Sequence, residues 1–127
     1  MARIQLFEFE DFPWFPSLIR QYMTDYLAFT ANLTTMPFEG FAKKLKAAMQ
    51  STGDRELLDL CSGAGGPAPQ MLKILRIKEQ FAVHAKLTDF FPNLPALERA
   101  RALNPEAVDF VPTPIDAAQV PKDFAGF

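Results

Sequence analysis

The chain contains one cysteine and one histidine in 127 residues. A lone cysteine excludes an intrachain disulfide framework and suits a reducing compartment. With so few soft donors, no metal-ligand cluster is present in the sequence. Lysine and arginine never form a run, and the formal net charge is −2. Nucleic acid is therefore not an expected partner, because phosphate contacts need a basic surface. No apolar stretch approaches the ~18 residues of a membrane-spanning helix, and the opening Met-Ala-Arg-Ile-Gln-Leu-Phe-Glu lacks a signal-peptide pattern. The expectation is a cytoplasmic protein with no membrane partner. Disorder is excluded too: apolar residues make up 49% against 22% charged, which is enough to build one globular core.

Phenylalanine and proline are abundant, and both mark the first part of the chain, residues 1–53, as a helical lead-in. Residues 1–15, with Pro13 and Pro16 flanking Trp14 and Phe15, read as an extended aromatic segment. Leu18, Ile19, Tyr22, Met23, Tyr26 and Leu27 recur on one helical face, so a helix is predicted over 16–31, broken by Asn32–Met36. Pro37 opens a second helix, whose stripe is Phe38, Phe41, Ala42, Leu45, Ala48 and Met49, with Lys43, Lys44 and Lys46 outward. Both stripes read as packing onto a sheet. The Trp14–Tyr26 region also reads as a lid over a ligand site.

Residues 54–127 alternate strand, turn and helix. Leu57, Leu58, Leu60 and Cys61 form an apolar run, as in a strand covered on both faces, which makes Cys61 an inert core thiol. Gly63, Gly65 and Gly66 follow, then a helix opened by Pro67 and ending near Arg76, with Met71, Leu72 and Leu75 buried. Such a corner offers unpaired backbone N–H groups to a ligand. Phe81, Val83, Ala85 and Leu87 have the period of a second strand, which leaves His84 on its less buried face. A helix over 95–103 and a third strand over 107–111 complete a βαβαβ unit with a parallel sheet.

Gly63-x-Gly65-x-x-Ala68, with Asp89 about twenty residues on, formally matches a dinucleotide fingerprint. Three features turn the reading away from NAD. Asp59 lies within the strand ahead of the turn, a long helical lead-in precedes that strand, and Asp116 follows the third strand. The run Leu57-Leu58-Asp59-Leu60-Cys61-Ser62-Gly63-Ala64-Gly65-Gly66 resembles motif I of class I S-adenosylmethionine-dependent methyltransferases, over roughly residues 38–127.

That resemblance implies an α/β fold: part of a Rossmann-like methyltransferase domain, parallel strands with helices on both faces, preceded by the N-terminal helical segment. It implies S-adenosyl-L-methionine as cofactor and assigns candidate binding residues. Asp59 would meet the methionine ammonium, and the backbone at Ser62, Gly63 and Gly65 would approach the methionine and ribose. Asp89 would accept from the ribose hydroxyls, Phe90 would stack on adenine, and Asp116 with Ala117 would meet the adenine edge. Read without it, Asp59 is a loop brace, Asp89 a turn residue, Asp116 a helix N-cap and Phe90 a core residue. The family sheet has seven strands, so three strands imply a partial gene product, with methyl acceptor and catalytic groups unassigned. A non-catalytic Rossmann-like nucleotide-binding or interaction module is the alternative.

Overall fold

Leu57, Ala85 and Val108 stand opposite one another on three neighbouring parallel strands. The computed structural model describes residues 12–33 and 38–124. In chain order they form α1 (Ser17–Leu33), α2 (Phe38–Thr52), β1 (Glu56–Asp59), α3 (Ala68–Ile77), β2 (His84–Leu87), α4 (Leu94–Leu103) and β3 (Val108–Phe110). The sheet order is β1-β2-β3, all parallel. The protein is an α/β structure with a small sheet and four helices among the described residues.

One core explains the packing. Ala42 and Met49 of α2, Leu72 and Leu75 of α3, and Leu97 and Ala100 of α4 meet Ala85, Leu87 and Val108 in a single buried cluster. Met49, Leu75, Leu87 and Leu97 are fully enclosed, each worth about 1.5–3 kcal/mol in removed apolar surface. The opposite sheet face carries Leu58, His84, Lys86 and Asp109, all half-buried, and the Phe124 ring approaches it with its centre 5.6 Å from the Lys86 ammonium. Helices on both faces were expected, and α2, α3 and α4 all pack on one. The reason is topological. The strands follow one another in the same direction across the sheet, so successive right-handed crossovers place their helices on the same side.

Local chemistry sets the element ends. α2 stops at Gly53, which takes φ +80° and donates its N–H to the Met49 carbonyl at 2.9 Å. Pro67 is the N-cap of α3, one place earlier than the first helical position expected for it, and offers no side-chain cap bond. α4 begins at Leu94 behind Asn93, whose side-chain oxygen accepts from the Ala96 N–H.

Four further expectations change. The first strand ends at Asp59, so Leu60 and Cys61 belong to the turn, and Cys61 is exposed with φ +60° rather than a core thiol. The second strand begins at His84, because Phe81 is tied back to α3 by its N–H bond to the Leu75 carbonyl at 2.9 Å. Lys46 turns inward: its ammonium donates to the Glu79 carbonyl at 2.8 Å and pairs with the Glu79 carboxylate at 3.2 Å. The break expected at Asn32 falls inside α1, which runs to Leu33. Residues 34–37, including Pro37, lie outside the described residues, as does the extended segment expected over 1–11. Residues 12–15 form a turn closed by the Phe15 N–H on the Phe12 carbonyl at 3.0 Å.

α1 departs most from expectation. Its stripe does not pack on the sheet: Leu18, Tyr22, Tyr26 and Leu27 are exposed, as are Trp14 before the helix and Phe29 and Leu33 within it. The helix is attached through polar groups instead. Asn93 donates to Thr24 Oγ1 at 3.0 Å and to Asp25 Oδ1 at 3.2 Å, and the Arg20 guanidinium lies 3.7 Å from the centre of the Phe91 ring. These contacts hold α1 over the C-terminal ends of β1 and β2.

Candidate functional site

The carboxyl ends of neighbouring parallel strands are where an open α/β sheet leaves a crevice. Here β1 ends on Asp59 and β2 runs on to Thr88 and Asp89. Between them the turn is knitted from inside. The Ser62 N–H donates to the Thr88 carbonyl at 2.8 Å, and the Thr88 N–H donates to the Asp59 carbonyl at 2.9 Å. The Ser62 hydroxyl donates to the Asp59 side chain at 3.0 Å, and the Thr88 hydroxyl donates to the Asp59 carbonyl at 3.0 Å. Thr88 is completely buried, so these bonds form in a low-dielectric setting where losing one is costly.

Asp89 holds the other side of the turn. Its Oδ2 accepts from the Gly63 N–H at 2.7 Å and its Oδ1 from the Phe91 N–H at 2.8 Å. Each carboxylate oxygen can accept more than one bond, so capacity for a ligand remains. The Asp59 carboxyl is pushed above the usual aspartate range, first by burial. The Ser62 hydroxyl bond opposes that shift, and the neighbouring Asp89 charge adds to it.

Over this floor opens a cavity of about 660 Å³, within the size range of small-molecule sites. Asp59, Ser62, Gly63, Asp89 and Phe90 line it. Phe90 is 46% exposed and meets Phe91 edge to face at 4.8 Å, so it is a wall of the cavity and not a core residue. The roof comes from α1, through Arg20, Thr24, Leu27, Ala28 and Ala31. Of the Trp14–Tyr26 segment expected as a lid, Arg20 and Thr24 reach the cavity while Trp14, Tyr22 and Tyr26 face outward.

Three of the expected contacts lie elsewhere. Gly65 is buried at φ +91°, and a Cβ there would sit 3.3 Å from the Ala100 Cβ, so it serves the approach of α4 to the turn. Asp116 and Ala117 do not line the cavity. Asp116 accepts instead from the Ala118 N–H at 2.8 Å, a local turn rather than a helix cap. Its neighbour Ile115 does reach the site's frame, donating its N–H to the Asp89 carbonyl at 2.9 Å.

The turn also differs chemically from an anion cradle. The N–H groups of Ser62, Gly63 and Gly65 are all engaged within the protein. Pro67 and Pro69 remove two more donors from the start of α3. Sequence reasoning missed Phe38, Met71 and Phe91 in the cavity wall, and of α1 it named the lid segment without singling out Arg20 and Thr24. His84 stands apart on the outer sheet face, its Nδ1 3.0 Å from the Glu56 carboxylate. Among the described residues no group of acids, histidines and cysteine is placed to hold a metal ion, and no helix is long and apolar enough to cross a membrane. Comparison with family models, curated proteins and solved structures yields no match.

Proposed function

We propose that the cavity binds S-adenosylmethionine and that the chain is the cofactor-binding half of a methyltransferase with a partial Rossmann-like fold. The observation that carries this reading is the pair Asp59 and Asp89, at the ends of adjacent strands, lining one largely apolar cavity beside the glycine turn. Two carboxylates favour a ligand bearing positive charge and repel phosphate. The prolines at the start of α3, and the internally bonded N–H groups of Ser62, Gly63 and Gly65, also leave few donors for a pyrophosphate. S-adenosylmethionine has no phosphate and carries sulfonium and ammonium cations, ribose hydroxyls and an adenine ring.

Asp59 would face the ammonium, and Asp89 would accept from the ribose hydroxyls with the acceptor capacity left beside Gly63 and Phe91. The exposed Phe90 ring would stack on adenine. When bound, the cofactor supplies a methyl carbon already activated for displacement. The chain's own residues hold that group in place and exclude water, with α1 as roof. Asp116 and Ala117 lie outside the cavity and would not meet the adenine edge; the second reading is a non-catalytic Rossmann-like nucleotide-binding or interaction module.

Thermal denaturation of the 127-residue chain with S-adenosylmethionine, S-adenosylhomocysteine or NAD separates these possibilities. The expected outcome is stabilisation by the first two, about 2.7 kcal/mol at a hundredfold excess over Kd, and none by NAD. Stabilisation by NAD alone would overturn the cofactor assignment.

A further inference from the structure

α1 presents a mixed face to the cavity and an apolar face away from it. Arg20, Thr24, Leu27 and Ala31 turn toward the cavity. At ~100° per residue, Ile19, Tyr22, Tyr26, Phe29 and Leu33 lie on the far side of the same helix. They are separated by 3, 4, 3 and 4 residues, the a/d spacing of a helix that packs along another helix. All five are exposed, from 48% at Ile19 to 67% at Leu33. A helix normally buries its apolar stripe against a partner. Here one side has a partner within the chain and the other has none among the described residues.

We propose that this outer seam is a homodimer interface, α1 packing against α1 of a second copy. Two observations select that occupant. The seam and its Leu18, Met23 and Trp14 neighbours expose on the order of 1,000 Å², against the ~800 Å² per partner that a stable interface buries. The flanking positions offer no free charge to specify a different partner: Asp25, the one acid on α1, is bound to Asn93 and Arg99. An uncharged apolar seam is self-complementary across a two-fold axis, since neither copy repels the other. A membrane surface fits less well. Arg20 is the single cation of α1, and it lines the cavity and covers Phe91 instead of facing outward toward anionic lipid. Two heptads are too few for a free-standing coiled coil. The bonds from Asn93 and the Arg20–Phe91 contact hold α1 in place beforehand, which lowers the ordering cost of association.

Sedimentation analysis of the full chain tests this directly. The wild type is expected at about twice the 14.2 kDa chain mass, and Y22K/F29K at the single-chain mass, with dissociation about 100-fold or more weaker in the wild type. Leu103→Lys, an 80%-exposed position on α4, serves as control and is expected to remain dimeric. Circular dichroism checks that Y22K/F29K is folded. If it is not, Leu33→Lys at the helix end and dilution of the wild type keep the test decisive. A wild-type monomer at ~100 µM would overturn the proposal. So would a dimer that survives the seam substitutions, which points to the free edge of β1, or a monomer that binds vesicles of phosphatidylglycerol and phosphatidylcholine. The outcome is independent of which cofactor the cavity takes.

Discussion

Asp89 reaches back across 26 residues to accept the Gly63 N–H at 2.7 Å, so the acid after β2 clamps the glycine turn after β1. One carboxylate therefore shapes the turn and faces the cavity. Replacing Asp89 with Ala removes both functions. S-adenosylmethionine binding should weaken by roughly 1.5–3 kcal/mol, the range of a charge-assisted hydrogen bond, as read by calorimetric titration. Asp89→Asn keeps one acceptor oxygen and should lose less. Unchanged affinity in both variants would remove Asp89 from the site.

Asp59 links stability to pH. Its carboxyl titrates above the usual aspartate value in the folded chain, so the folded state holds more protons than the unfolded state just above that value. Stability should therefore fall as pH rises from about 4 through the raised value, the opposite of a salt-bridged aspartate. Asp59→Asn keeps an oxygen for the Ser62 hydroxyl and removes the charge. Its melting temperature, measured from pH 3 to 7, should gain on the wild type as pH rises. Parallel profiles would contradict the assignment.

Three glycines separate strain from overlap. Gly65→Ala meets both, with φ +91° and a contact 3.3 Å from Ala100, and should cost about 2–4 kcal/mol. Gly53→Ala has φ +80° with open space around it and should cost only about 1–2 kcal/mol. Gly40, inside α2 with nothing nearby, should gain roughly 0.5–1 kcal/mol as Ala. Urea denaturation of the three variants gives the ordering. Equal losses at Gly65 and Gly53 would argue against close packing under α4.

Asn93 is buried and joins the cap of α4 to the anchoring of α1. Asn93→Ala should destabilise the protein by about 1–3 kcal/mol and raise amide exchange in α1 more than in β2. Exchange that rises uniformly would mean that α1 is held by something other than this side chain.

Legibility in the sequence followed the range of the interactions. The β1–turn–α3 corner was readable because glycine and proline fix backbone angles locally, and Asp59, Ser62, Gly63, Asp89 and Phe90 do meet in one cavity. The parallel strands were readable from their alternation with helices, though not the start of β2, where Phe81 is apolar because it caps the core beside α3 and not because it is paired. Asp116 was misplaced because its carboxylate takes a bond from Ala118, two residues away, and nothing in the spacing records that choice. The environment of α1 was legible only in part: Arg20 and Thr24 of the expected lid segment do roof the cavity, but the apolar stripe assigned to the sheet is exposed. Periodicity marks an apolar face, but Tyr22 and Tyr26 look the same whether they meet a sheet, a cavity or a second chain.

The most direct measurement for the cofactor assignment is equilibrium dialysis of methyl-labelled S-adenosylmethionine against the wild type, Asp59→Asn and Asp89→Ala at neutral pH. Saturable binding by the wild type, displaced by S-adenosylhomocysteine and weakened in both variants, is expected. Binding that is absent, or that neither substitution alters, would refute a site built on these two carboxylates.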